Sequence, residues 1–459
     1  MSADLNRNSK AIIIGLSDTG ERIPACAGRI STQPGTAMDI FEAATDTEKN
    51  ANLISKVTRS GHNSTVEHTY INLAFQNVSV TVEQFIIEFR LASFTVKSRR
   101  YVDFGDSGYY IPRFDSKSAE IRYLNHMEYL FSEYQYMLEN GISKEDARFI
   151  LPYSLFSNFY CSVNAREFLH MLYAMIYGRG SSYPEIYALG MSLLDQARSR
   201  IPGIMTDFES RRPSKRELPY FDYTEGEAEY PDTLTELISY TPDAEKCIAK
   251  AALIAGTNLS SKKIDEIVSD KRELRSIIEK EVACGRPRAL ESAVFTFRIN
   301  GVSLSGITHF ARHRMQSIDI PSLTLTDRKR YIMPPSIASN PEIKERYEAA
   351  FTKTSALYDE LKSEGTIPEL LVYCQLSGNA LDIVTTMNAR ELELFLRLRT
   401  CNRAQWEIRA YACEMLAKLR EVCPDVFRNF GPSCFVDRCP EGTLTCGKAA
   451  EVIDKFKMK

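Results

Sequence analysis

Asn164-Ala165-Arg166-Glu167 returns 224 residues later as Asn388-Ala389-Arg390-Glu391. One repeated tetrapeptide in a chain of 459 residues is noise, so the offset needs support elsewhere. Arg90 and Ser93 return as Arg314 and Ser317, Gly61 as Gly285, Glu67 as Glu291, and Val78-Ser79 as Val302-Ser303. Every pair keeps the same spacing and the same order. That is a duplication, and a period this long means two domain-sized copies rather than a solenoid. Residues 1–210 form the first copy, and 233–459 form the second, which ends in a cysteine-containing tail. The charged stretch 211–232 between them has Pro and Gly but no sustained apolar period, and reads as a linker.

Both copies carry the same order of local signals. A helical segment over about 38–58 recurs at 260–282, and a β-branched and aromatic strand over 69–77 recurs at 292–300. A short helix, 80–90 and again 303–313, then leads into a polar motif loop. Helices over 118–139, 164–177 and 184–200 close the first copy, and helices over 341–363, 388–399 and 404–421 close the second. The predicted fold class is α+β, dominated by helices.

Composition removes several functions. With 57 Lys and Arg against 60 Asp and Glu, the net charge is −3, which argues against a general grip on nucleic acid or an anionic membrane. No basic–aromatic stripe is present either. The longest clean apolar runs, such as 11–14 and 251–255, fall far short of the roughly 20 residues of a membrane span. The first ten residues lack a signal-peptide core, so the expected location is cytoplasmic. Eleven scattered Cys read as reduced thiols rather than a disulfide framework. Cys423, Cys434, Cys439 and Cys446 cluster near the end but lack a C-x-x-C knuckle, so no metal is assigned to them.

Three segments could carry chemistry. Arg312-His313-Arg314, at the end of a short helix, makes a cationic clamp suited to phosphate. The matching loop of the first copy, from Arg90 through Ser98, Arg99, Arg100 and Tyr101, sets hydroxyls and guanidiniums at tight spacing for an anion. Upstream of it, His62, Ser64, Glu67 and His68 fall within seven residues, in a spacing that matches no common zinc pattern. No Pro-Cys element with a partnered His offers a cysteine nucleophile.

These segments resemble the pattern of the flavin-dependent thymidylate synthases. The resemblance rests on His62-x-Ser64-x-x-Glu67-His68, Arg312-His313-Arg314 with Ser317, Asn388-x-Arg390, and Ala404-Gln405-Trp406-Glu407-Ile408. It covers nearly the whole chain as two fused units. It implies two tandem copies of that α+β fold, each an antiparallel sheet with packed helices. It also implies an enzyme that reductively methylates dUMP at C5 to dTMP, using methylene-tetrahydrofolate, FAD and NADPH. Family members are homotetramers with sites assembled from several subunits, so a tandem chain would act as a homodimeric pseudo-tetramer. Its partners would be small molecules, a pyrimidine nucleotide and a folate, with no nucleic acid and no membrane.

Carried over residue by residue, neither copy is complete. The first keeps His62, Ser64, Glu67, Ser98, Arg100 and Arg148, but has Glu88-Phe89-Arg90 for R-H-R and Met175 for a uracil-contacting Arg. The second keeps Arg312, His313, Arg314, Asn388, Arg390 and Arg399, but has lost the His element, and Val372 replaces the early Arg. The losses are complementary, which predicts composite sites. Ser98, Arg100 and Arg148 would hold the nucleotide phosphate and sugar, with Arg399 against the base and His309 in place of a nucleotide-touching Gln. His62, Ser64 and Glu67 would meet FAD together with Arg312, His313, Arg314, Asn388 and Arg390. Arg399 and Ser98 are the catalytic candidates, because a fixed guanidinium stabilises charge that develops on the pyrimidine. The family's N-E pair is replaced by Thr95-Val96 and Asp319-Ile320, which leaves UMP as an alternative acceptor and a non-catalytic flavin- or nucleotide-binding protein as the alternative class.

Overall fold

Apolar residues at every second position build one sheet in each copy. The computed structural model describes residues 8–219, 221 and 230–457. In the first copy, β1 (Lys10–Leu16), β2 (Tyr70–Ser79), β3 (Ala92–Val96) and β4 (Phe156–Asn164) form an antiparallel sheet in the order β1-β2-β4-β3. Ile71, Leu73 and Phe75 of β2 face the core while Tyr70 and Asn72 face outward. Phe159, Cys161 and Val163 of β4 continue the same buried face. Phe75 and Phe159 are opposite each other, their rings stacked at 4.5 Å. Each such buried aromatic contributes about 2–3 kcal/mol of transfer free energy.

The second sheet repeats the first. It contains β5 (Thr235–Tyr240), β6 (Val294–Ser303), β7 (Ser317–Asp319), β8 (Asp327–Tyr331) and β9 (Asn379–Asn388), ordered β5-β6-β9-β7 with β8 also on β9. Tyr70 pairs with Asn164 in the first sheet, and Val294 pairs with Asn388 in the second. Both central strands carry a bulge at the same place, where Asn77 (φ 50°) and Gly301 (φ 71°) bend the backbone. A Cβ on Gly301 would be strained by its φ of 71° and would also push against the Arg330 guanidinium.

By contacts the chain divides into Met1–Gly226 with Met333–Gly378, and Glu227–Ile332 with Asn379–Lys459. The helix Pro341–Ser363, second-copy by sequence, therefore packs in the first unit against Lys117–Glu139. Arg346 donates to both Glu133 oxygens, at 2.8 and 3.0 Å.

The other long helices lie near their expected spans, with two exceptions. The segment 38–58 is two helices, Ala37–Ala43 and Thr47–Arg59, because Asp46 accepts the Lys49 amide at 3.0 Å and starts a new one. Asp270 does the same inside 260–282, accepting the Arg272 amide at 2.8 Å. The central strands β4 and β9 and the outer strands β1 and β5 have no counterpart in the sequence reading, which finds one strand per copy. No helix among the described residues is long and apolar enough to cross a membrane.

The helix pair in the first unit predicts a pH effect. His126 is buried and its Nε2 lies 2.8 Å from Thr354 Oγ1. The Thr354 hydroxyl donates to the Ala350 carbonyl, so Nε2 is the donor of an uncharged ring. Burial, assisted by Lys353, pushes His126 down to about 4. Because the folded value lies below the unfolded one of about 6.5, the contribution is intact above pH 6.5 and is lost as pH falls toward 4. Between pH 7 and pH 4.5 the unfolding free energy from urea titration should drop further for wild type than for His126→Gln, by about 2 kcal/mol. A parallel decline of the two would rule this out.

Candidate active site

The repeated N-A-R-E motif is a strand end that turns into a helix. Asn388 closes β9, and its side chain accepts the Glu391 amide at 2.9 Å, capping the helix Ala389–Arg399. Asn164 caps Ala165–Ile176 in the same way, also at 2.9 Å. Arg390 pairs with Glu291, as Arg166 pairs with Glu67, so the duplication preserves this surface ion pair as well.

From that helix start a buried polar chain runs inward. Glu391 lies 3.0 Å from Nδ1 of His313, and Nε2 of His313 accepts from Arg399 Nε at 3.1 Å. A ring that accepts at Nε2 carries its proton on Nδ1, so His313 is neutral and donates to Glu391. Burial pushes the imidazole down while the Glu391 hydrogen bond opposes it, and the lowering wins. Arg399, the last residue of its helix, is thereby oriented through two buried side chains. Exposed Arg312 and Arg314 flank the buried His313, and His309, on the preceding helix Leu304–Ala311, is buried too. The sequence reading missed Glu391 as a functional residue, although it is the fourth residue of the repeated motif.

In the first unit Glu145 gathers the nucleotide candidates. Arg100 reaches its carboxylate at 3.0 Å, and Arg148 Nε donates to its backbone carbonyl at 3.1 Å. The Ser98 hydroxyl accepts the Arg100 amide at 3.3 Å, and between them Arg99 is buried against Glu83. His62, Ser64 and Glu67 lie elsewhere, on the 3-10 turn Asn63–His68 and its N-cap, beside the Asn164 end of β4. The Ser98 loop leaves the sheet where Lys97 meets Asn158, six residues away along that strand, or about 20 Å at roughly 3.3 Å per residue. The first unit therefore keeps its two candidate sets at opposite ends of one strand.

The positions that departed from the pattern have acquired other partners. Where the second copy has His313 and Arg399, the first has Phe89 and Met175, both buried. Its Glu167 turns instead to His170, at 3.4 Å, and His170 packs edge-on to Phe89. Glu88, in the Arg312 position, pairs at 2.6 Å with Arg179, whose guanidinium lies over Phe85. Burial raises the Glu88 carboxyl, with Arg179 acting against it. In the second copy the inserted motif loop becomes β8, and Arg330 binds Asp382 at 2.6 Å while stacking on Tyr230. An arginine at the place of the first copy's anion loop is thus committed to the sheet.

Comparison with known proteins agrees with this duplicated architecture. The profile of the thymidylate synthase complementing protein family matches twice, over residues 13–203 and 236–425. The chain belongs to that family. It is 35% identical over 225 residues to a flavin-dependent thymidylate synthase of Geobacter sulfurreducens, covering 48% of this chain and 97% of that one. A flavin-dependent thymidylate synthase of Clostridium tetani is 32% identical over 235 residues, covering 47% of this chain and 94% of its own. Each relative thus spans about half of this thymidylate synthase complementing protein family member, as a tandem fusion requires. Among solved structures, a UMP/dUMP methylase PolB from Streptomyces cacaoi bound with 5-Br dUMP aligns at 23% identity and TM-score 0.39, over 45% of this chain and 96% of that one.

Proposed function

We propose that this protein reductively methylates dUMP at C5 to give dTMP, taking the carbon from methylene-tetrahydrofolate and using FAD and NADPH. The observation that carries the reading is the sorting of two half-sets. The Glu391–His313–Arg399 chain is intact only in the second copy, and the Ser98, Arg100 and Arg148 cluster is intact only in the first. Each copy thus contributes the residues the other has lost, and the enzyme works with composite sites, as a cytoplasmic homodimer.

Ser98, Arg100 and Arg148 hold the nucleotide, two guanidiniums suiting a phosphate and the hydroxyl completing the anion loop. Arg399 faces the base, where its charge opposes the electron density that builds up as C5 becomes nucleophilic. The residue set also fits a flavin dinucleotide: Arg312, Arg314 and Arg390 offer exposed or half-exposed charge for a diphosphate, and Asn388 with His62, Ser64 and Glu67 offers hydrogen-bonding groups. Bound there, FAD would supply the hydride that the one-carbon unit needs to become a methyl group. His313 takes no proton in this scheme; it keeps the guanidinium of Arg399 in place.

The test is the visible spectrum of the purified protein, repeated after adding FAD and then dUMP or UMP. Flavin absorbance that dUMP perturbs supports the reading, and a response to UMP alone changes the acceptor. Arg148→Ala should keep the flavin spectrum and lose the nucleotide response together with turnover. A chain that binds no FAD would establish the non-catalytic alternative.

A further inference from the structure

The loop after the helix Ala389–Arg399 and the C-terminal tail meet around a cavity of about 20 Å³. That is room for roughly one water-sized sphere. Four thiols line it: Cys401 from the loop, and Cys434, Cys439 and Cys446 from the tail. Cys423, grouped with the tail by its sequence position, is instead fully buried at the start of the helix Pro424–Phe427 and is not among the lining residues. Cys401, more than 30 residues before the tail cysteines, takes its place. None of the four is in a disulfide.

Two of the sulfurs accept hydrogen bonds from neighbouring amides. The Arg403 amide donates to the Cys401 sulfur at 3.5 Å, and the Asn402 side-chain amide to the Cys446 sulfur at 3.9 Å. The Arg403 side chain belongs to the same lining, a cation beside four groups that could carry negative charge. As placed, no three of the described His, Cys, Asp or Glu side chains converge on a point fit for a metal ion. Cys434 lies on the short helix Ser433–Val436, while Cys439 and Cys446 lie on irregular backbone on either side of the 3-10 turn Gly442–Leu444.

We propose that Cys401, Cys434, Cys439 and Cys446 bind one structural Zn²⁺ that fastens the tail to the loop following Arg399. Four thiolates in a closed cavity suit tetrahedral zinc with sulfur at about 2.3 Å and leave no open position for catalysis. Binding displaces the protons of the four thiols to solvent and needs no oxidant. The site lies outside every group assigned to the nucleotide or the flavin, so its metal content can be read independently of activity.

The experiment is elemental analysis of the full-length protein purified under reducing conditions, with cobalt substitution in parallel. The expected result is about one zinc per chain and the intense visible bands of tetrahedral cobalt thiolate. Cys434→Ser or Cys439→Ser should lower zinc to well under half an equivalent, while Cys284→Ser, at an exposed site elsewhere, should keep it. The wild-type measurement stands even if a tail variant fails to fold. Metal-free protein that takes up no added zinc and shows all four thiols reactive would overturn the proposal, as would a disulfide among them.

Discussion

Arg399→Ala lowers kcat/KM for the nucleotide by at least about 10²-fold, the usual effect of removing one preorganised donor from a developing anion. The protein should remain folded, because Arg399 ends its helix and is only half-buried. Its Nε is held by His313 at 3.1 Å, and His313 is held in turn by Glu391 at 3.0 Å. In the proposed site the guanidinium would meet the substrate already oriented, so no reorganisation would be needed as charge builds up. Alanine also leaves Nε2 of a buried His313 without this donor, so a loss of about 1 kcal/mol in stability accompanies the kinetic effect. Arg399→Lys restores charge but not the planar fork, and should recover only part of the rate. Steady-state kinetics on alanine and lysine variants, with melting curves for each, check this. An alanine variant within threefold of wild type would remove Arg399 from the mechanism.

Glu83→Ala destabilises the first unit by about 3–5 kcal/mol, the usual consequence of stranding one half of a buried ion pair. Glu83 and Arg99 are both almost wholly buried, and Arg99 donates to its two oxygens at 2.6 and 3.0 Å. The Ser157 hydroxyl donates to the same carboxylate at 2.5 Å. Alanine leaves the guanidinium charged in the core with nothing opposite it. Because Arg99 lies between Ser98 and Arg100, nucleotide affinity should fall as well. Replacing both partners, Glu83→Leu with Arg99→Met, should recover most of the stability, since no charge then remains buried. The second copy has Ile307 at the position of Glu83, fully buried, and fixes its loop through Arg330 and Asp382 instead. Urea unfolding of the single and double variants measures the difference. A single-variant loss below 1 kcal/mol would mean that water or a rearrangement reaches Arg99.

How much of this could be read from the sequence depended on the range of the interaction. The duplication, the two α+β copies and the helix starts at Asn164 and Asn388 were legible, because repeats, short-range period and caps are written in neighbouring residues. The splits at Asp46 and Asp270 were legible in principle, since each is an N-cap residue inside an otherwise helical run. Strands β4 and β9 were hidden by their position, each running directly into a helix with no turn signal between.

The sequence by itself determined the two copies and which residues of the family pattern stand in each. Only the tertiary structure decided which of those residues meet. Glu391 reaches His313 across 78 residues and Arg399 reaches it across 86, and neither spacing leaves a periodic trace. The same holds for Cys401 in place of Cys423, and for the helix Pro341–Ser363, which packs with the first unit although the repeat assigns it to the second. Local pattern fixes which face of an element is apolar. The partner that covers that face, or that satisfies a buried charge on it, is chosen only when distant segments meet.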